Sequence, residues 1–190
     1  MVNFEKTYTV DAATLGELSD RVVVLHGMTS GEEEEYDPAL PVACSLIVPA
    51  ESDAYAAVHL SGDNEPDPIE SDGIGSAWFW HDEEGDVIYF MLSVKGIEDI
   101  TASHIHTGSA GENGGVVVPL FGGLDEGESV AGFGILASGR ITADDLSGAL
   151  EGMTLEDLVA LFGTSVEDSE AYVNVHSISY PPGEIRDQVR

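Results

Sequence analysis

From Ala54 onward the sequence is punctuated at short intervals, and that rhythm is what most limits the fold. Runs rich in β-branched and aromatic residues alternate with clusters of Gly, Pro, Asn and Asp, the pattern of strands joined by tight turns. Tyr55–Leu60 reads as a strand and Ser61–Pro68 as a loop. Gly75–Trp80 and Asp86–Val94 flank an acidic turn, His81–Gly85, and read as a hairpin. A strand carrying His104 and His106 follows, then a Gly-rich loop from Gly108 to Gly115. Val116–Val118 is a strand stopped by Pro119. A second Gly-rich span, Gly122 to Gly134, leads to strand-like Ile135-Leu136. Tyr172–His176 and Glu184–Val189 form a last hairpin around Pro181-Pro182-Gly183. Only residues 142–163 change period. Leu146 and Leu150 lie four apart, and Leu155, Leu158, Val159 and Phe162 follow i, i+3, i+4, i+7 behind a Thr154/Asp157 capping pair. The expectation is an all-β domain, a β-sandwich or Greek-key barrel, with two short helices in one crossover.

The first 53 residues are less regular. Val22–Leu25 and Val42–Val48 read as strands, Glu32–Glu35 as a solvated loop, and Thr14 with Glu17 as a weak helix start. His26 reads as structural or exposed. The division expected is an N-terminal extension, 1–53, of strands packed on a main domain, 54–190. The 190 residues hold no internal repeat and suit one such domain with an elaboration.

Charge narrows the function classes. Thirty-six Asp and Glu face six Lys and Arg, a net charge of −30. The acidity is spread along the chain, so it reads as adaptation to a high-salt milieu of the haloarchaeal kind, where self-repulsion is screened. A polyanionic Ca²⁺ binder is the alternative, but no loop of the EF-hand form is present. Nucleic acid is excluded as a partner, since no basic patch could neutralise phosphates. Cys44 is the single cysteine; it permits no internal disulfide and reads as a buried, inert thiol. No apolar run is long enough for a membrane span, and no secretion signal is evident, so the chain as written reads as cytoplasmic.

The chemistry-bearing residues are histidines. His104 and His106 stand two apart on a strand and so share a face, with Ile105 turned to the core. On a late strand Tyr172, Asn174 and His176 share a face, and Val173 and Val175 take the other. If the two strands are neighbours, His104, His106 and His176 converge, a ligand set suited to Zn²⁺ or Cu²⁺. The alternative is structural: the imidazoles bond backbone carbonyls or Glu65, Glu184 and Tyr172, and Arg186 pairs with Glu65 or Glu184. His59 and His81 are auxiliary candidates only. Trp78, Phe79 and Trp80 read as sheet packing. No Gly-x-Ser-x-Gly elbow, P-loop or His-Glu-x-x-His motif occurs.

Four motifs in order carry a family resemblance: Leu60-Ser61-Gly62-x-x-Glu65; His104-Ile105-His106 with Gly108 and Asn113-Gly114; Tyr172-Val173-Asn174-Val175-His176; and Pro182-Gly183-Glu184-Ile185-Arg186. Over about residues 54–190 the chain resembles the CHRD domain, first described in chordin and found in many bacterial and archaeal secreted proteins. The resemblance implies an immunoglobulin-like β-barrel related to Cu/Zn superoxide dismutase, and an extracellular or cell-surface place. It implies no general activity. The chain departs from the family pattern at Pro66-Asp67-Pro68-Ile69, at Asp187 and in having no leader. His104, His106 and His176 stand where copper ligands of the dismutase stand. Residues 107–115, however, hold no histidine and a single carboxylate, Glu112, which argues against a two-metal dismutase centre. The expectation is a binding or structural module rather than an enzyme, holding one Zn or Cu ion through His104, His106 and His176, with Glu65, Tyr172, Asn174, Glu184 and Arg186 in support. A superoxide-dismutase-like redox metalloenzyme is the runner-up. A metal-free domain that docks a protein partner on loops 107–115 and 122–134 is the third reading.

Overall fold

A computed structural model describes residues 22–30, 35–46, 52–122 and 130–190. The chain divides into two compact units, Met1–Pro49 and Ala50–Arg190. In the first, β1 (Val22–Ser30) and β2 (Glu35–Leu46) pair antiparallel, with register shifts on either side of His26. The expected strands at 22–25 and 42–46 fall within them, and Glu35 already belongs to β2. Residues 14–17, 32–34, 47–48 and 123–129 lie outside the described residues.

The second unit is a closed barrel. Its strands are β3 (Asp53–Ser61), β4 (Ile74–Asp82), β5 (Val87–Thr107), β6 (Val116–Phe121), β7 (Val130–Ile141), β8 (Ala171–Ser177) and β9 (Ile185–Gln188). Hydrogen bonds run β4-β3-β9-β8-β5, and β5 pairs back to β4, which closes a ring of five. The seam between β3 and β9 is short: Ser61 faces Arg186, and Ala56 and Arg190 exchange backbone bonds of 2.7 and 2.9 Å. All pairings are antiparallel.

The ring closes because β5 is 21 residues long and serves two neighbourhoods. Its first half, Val87–Lys95, lies between β4 and β7; its second half lies between β8 and β6. Two left-handed residues mark the change of direction, Gly96 at φ +77° and Asp99 at φ +53°. A Cβ on Gly96 would stand 2.7 Å from the Asp72 carbonyl oxygen, so only glycine allows that approach. Alternation turns Ile88 and Leu92 inward in the first half; in the second, a register shift after Ile100 offsets the alternation so that Ile100 and Ile105 both point in, and all four are fully buried with Leu60, Phe79, Val173, Val175 and Ile185. Phe79 is wholly buried while Trp78 beside it is 40% exposed, so the aromatic run splits between the two faces of β4.

Two expectations need correction. Pro119 does not stop a strand but sits inside β6. It is tolerated because, among the described residues, β6 pairs with β5 alone, so the missing N–H falls on an edge. The crossover from β7 to β8 holds one α-helix rather than two. α1 (Leu155–Val159) is capped as anticipated: Asp157 N–H donates to Thr154 Oγ1 and Thr154 N–H to Asp157 Oδ2. The segment before it forms 3-10 turns at Ala143–Asp145 and Gly148–Leu150. There Ser147 N–H donates to Val117 O, and Gly148 takes φ +57°, a conformation an α-helix does not contain. The apolar spacing still does its work, since Leu146, Leu150, Leu155, Leu158 and Phe162 are all buried in the core.

Candidate metal centre

The site lies on the outer face of the barrel wall formed by β6, β5, β8 and β9. Ser103 and Ile105 point inward and are wholly buried, which turns His104 and His106 outward. β8 pairs with the second half of β5 so that His176 faces Ala102, Asn174 faces His104 and Tyr172 faces His106. Residues directly opposite share a face, and the three imidazoles therefore meet. One ring nitrogen from each lies within 4.8 Å of the others. His104 Nδ1 is 3.2 Å from His176 Nε2, and all three ring centroids lie 5.0–5.6 Å apart.

Backbone carbonyls set the tautomers. His106 Nδ1–H donates to Gly114 O at 3.1 Å, and His176 Nδ1–H donates to Pro181 O at 3.0 Å. Both rings must then present bare Nε2 lone pairs. His104 Nδ1–H is accordingly the donor to His176 Nε2. His106 Nε2 is buried and has no partner. Burial is the main reason all three histidines are held below their usual range, His104 down to about 4 with help from His176 and His106. Three neutral imidazoles, two of them oriented by carbonyls on the far nitrogen, are what a Zn²⁺ or Cu²⁺ ion takes, and the orphaned lone pair of His106 fits that use. The residues present therefore suit such an ion.

A brace holds the loop that supplies the Gly114 carbonyl. His106 stacks on Tyr172 with ring planes 8° apart and centroids 5.0 Å apart, and the Arg186 guanidinium lies 3.5 Å over the same Tyr172 ring. Arg186 donates to Glu112 O and Ser109 O, and to Gln188 Oε1. Gln188 Nε2 donates to Gly108 O, and Gly114 N–H donates to Tyr172 Oη. Loop 108–115 thus covers the sheet face, which is why Tyr172, Asn174, Arg186 and Gln188 are at most 3% exposed on a nominally outer surface.

The expected supporting residues are present in altered roles. Arg186 bonds carbonyls instead of pairing with Glu65 or Glu184. Glu65 is near enough to feel the Arg186 charge, yet burial raises its carboxyl pKa, and its Oε1 has no hydrogen-bond partner. Glu184 accepts from Ser71 Oγ and Ser177 Oγ. Asn174 packs against Gly183, where a Cβ would come within 2.4 Å of its amide nitrogen. His59 and His81 do not join the trio. Sequence reading missed Gln188 and the carbonyls of Gly114 and Pro181. The adjacent glycines and the Pro181-Pro182-Gly183 turn were visible, but which carbonyl reaches which imidazole depends on strand register.

Fold and site together define a closed antiparallel β-barrel domain that carries a three-imidazole cluster on one wall. Residues 56–189 match the family model of the CHRD domain; the chain belongs to the CHRD-domain family. Searches of curated proteins and of solved structures found no match.

Proposed function

We propose that this is a CHRD-type binding module of a salt-adapted organism that holds one Zn²⁺ or Cu²⁺ ion through His104, His106 and His176. The observation that carries the reading is the buried, unpartnered Nε2 of His106, next to a His176 Nε2 turned the same way by its carbonyl partner. Leaving such an acceptor bare costs about 1–3 kcal/mol, and a metal ion removes that cost. A bound ion would supply a Lewis-acid or, for copper, a redox centre on the barrel wall. His106 and His176 offer Nε2 directly. His104 offers Nδ1 once its proton moves to Nε2, on the less buried side of the cluster. The shortage of further ligands in loop 107–115 favours the module over a dismutase-like enzyme. Family membership supports an immunoglobulin-like barrel and a place outside the cell, and the net charge of −30 supports life in high salt.

The test is metal content by ICP-MS on untagged protein purified in molar salt. One equivalent of Zn or Cu per chain is expected, lost in His106→Gln and His176→Gln variants that keep a β-type far-UV CD spectrum. A metal-free chain that also refuses added Zn²⁺ and Cu²⁺ overturns the reading. Copper that turns over superoxide would move the protein to the redox class.

A further inference from the structure

In a chain this acidic, the histidine cluster is short of negative charge. The three imidazoles are neutral ligands, and their outer partners are neutral as well. Gly114 O receives the Nδ1 proton of His106, and Pro181 O that of His176. Carboxylates often take this outer position on metal-bound histidines; here backbone carbonyls do. Among the described residues, no Asp or Glu joins the group. Glu184 accepts from Ser71 and Ser177, and Asp187 pairs with Arg190. Glu112, the one acid of loop 107–115, is exposed and gives its backbone carbonyl to Arg186. Glu65 faces the charge of Arg186, and no carboxylate perturbs any of the three histidines.

The nearest ionised influence is positive. The Arg186 guanidinium lies over the ring of Tyr172, on which His106 stacks. Burial is the main reason His106 titrates low, and the Arg186 charge adds to it. Any cation seated at His106 meets the same repulsion. That repulsion grows in proportion to the ion's charge, whereas the cost of taking the ion out of water grows with its square. A monovalent ion therefore loses roughly a quarter of the hydration that a divalent ion of equal size loses. Carboxylate ligands would offset the difference, and none is placed to do so. The overall charge of −30 is no substitute, because in molar salt the Debye length is ~3 Å. Among the first-row ions that imidazole holds, copper is the one with an accessible monovalent state, and that state is satisfied by two or three nitrogen donors.

We infer that the cluster is a site for reduced copper: three neutral imidazoles, neutral outer partners and a neighbouring guanidinium favour Cu⁺ over Cu²⁺. The inference rests on the metal reading above and narrows it to one ion in one charge state.

The test is a potentiometric titration, under argon, of the copper-loaded full chain in chloride-free potassium sulfate of molar ionic strength, followed by the Cu²⁺ EPR signal. Copper with excess imidazole in the same medium is the reference, since it offers the same donor without the protein wall. The parent chain is expected to favour Cu⁺ over Cu²⁺ at least about tenfold more than the reference does, which raises the one-electron potential by ~59 mV or more. Ala102→Asp puts a carboxylate on a half-exposed position opposite His176. It should reverse about tenfold of that preference, while Ala102→Asn, of the same shape without the charge, keeps the parent value. Asn174→Asp, opposite His104, should shift the potential in the same direction as Ala102→Asp. A parent potential at or below the reference, or equal potentials for the Asp and Asn variants of Ala102, overturns the inference and leaves the metal site standing. A chain that binds zinc alone does the same. A chain that takes up neither copper nor zinc overturns both.

Discussion

The imidazole cluster makes two demands on individual residues. The first concerns protons. All three histidines titrate lower in the fold than their ordinary value near 6.5, His104 near 4. As pH falls below about 6.5, the unfolded chain takes up protons that the folded one refuses, so stability is present above that pH and is lost as pH descends toward 4. In metal-free protein, His104→Gln removes one of these groups. Its melting temperature should fall less steeply than the parent's between pH 6.5 and 4, while the carboxylates common to both cancel in the comparison; parallel curves would refute the buried, neutral state of His104. The second demand concerns the brace. Tyr172→Phe leaves Gly114 N–H without its acceptor and loosens the loop that fixes His106. Metal affinity should drop about 10–100-fold, as for other outer-sphere partners, with the CD spectrum unchanged, as isothermal titration with Zn²⁺ would show. That His104 and His106 share one strand face, and Tyr172, Asn174 and His176 another, was legible from two-residue spacing; that the two faces meet waited on the pairing of β5 with β8. That Arg186 would brace a loop through carbonyls was not, because an arginine in sequence displays its charge and not the acceptor it will meet.

At the scale of elements, the loop between β5 and β6 contains two neighbouring glycines with opposite requirements. A Cβ on Gly114 would fall 1.6 Å from Thr107 O, while a Cβ on Gly115 meets nothing within 4 Å. Gly114→Ala must therefore push the loop off the strand, breaking the bond of His106 to Gly114 O and that of Thr107 N–H to Gly115 O. A loss of about 1–3 kcal/mol is expected, with weakened metal binding. Gly115→Ala should stay within about 0.5 kcal/mol of the parent. Urea unfolding of the pair checks both, and equal losses would argue against the packed loop. Strand positions were the most readable feature of the sequence, since alternation and turn residues mark them locally. The length of β5 was not readable: a single strand that changes partners midway looks, in sequence, like two strands separated by Gly96. The short helices were over-read for a similar reason. Leucine spacing reports which side chains reach the core, and 3-10 turns satisfy that spacing as well as an α-helix does.

Across the whole molecule, charge governs how stability responds to the solvent. At about 0.1 M salt the Debye length is ~10 Å, and neighbouring carboxylates feel one another; at about 1 M it is ~3 Å and they scarcely do. With a net charge of −30, the melting temperature should rise steeply from dilute buffer to molar KCl, by scanning calorimetry, and a flat profile would remove the case for salt adaptation. The barrel has one further consequence, in the order in which it can be built. Its seam joins β3 to β9, Ala56 to Arg190, and the two histidine strands lie about seventy residues apart in the chain. Of the barrel strands, β3, β4 and β5 emerge first and can form only an open meander, whose β3 edge lacks its barrel partner until residues 185–190 have left the ribosome. Closure is thus the last event rather than a gradual one. A nascent chain stalled between β5 and β8 would expose both an adhesive strand edge and a half-built imidazole cluster.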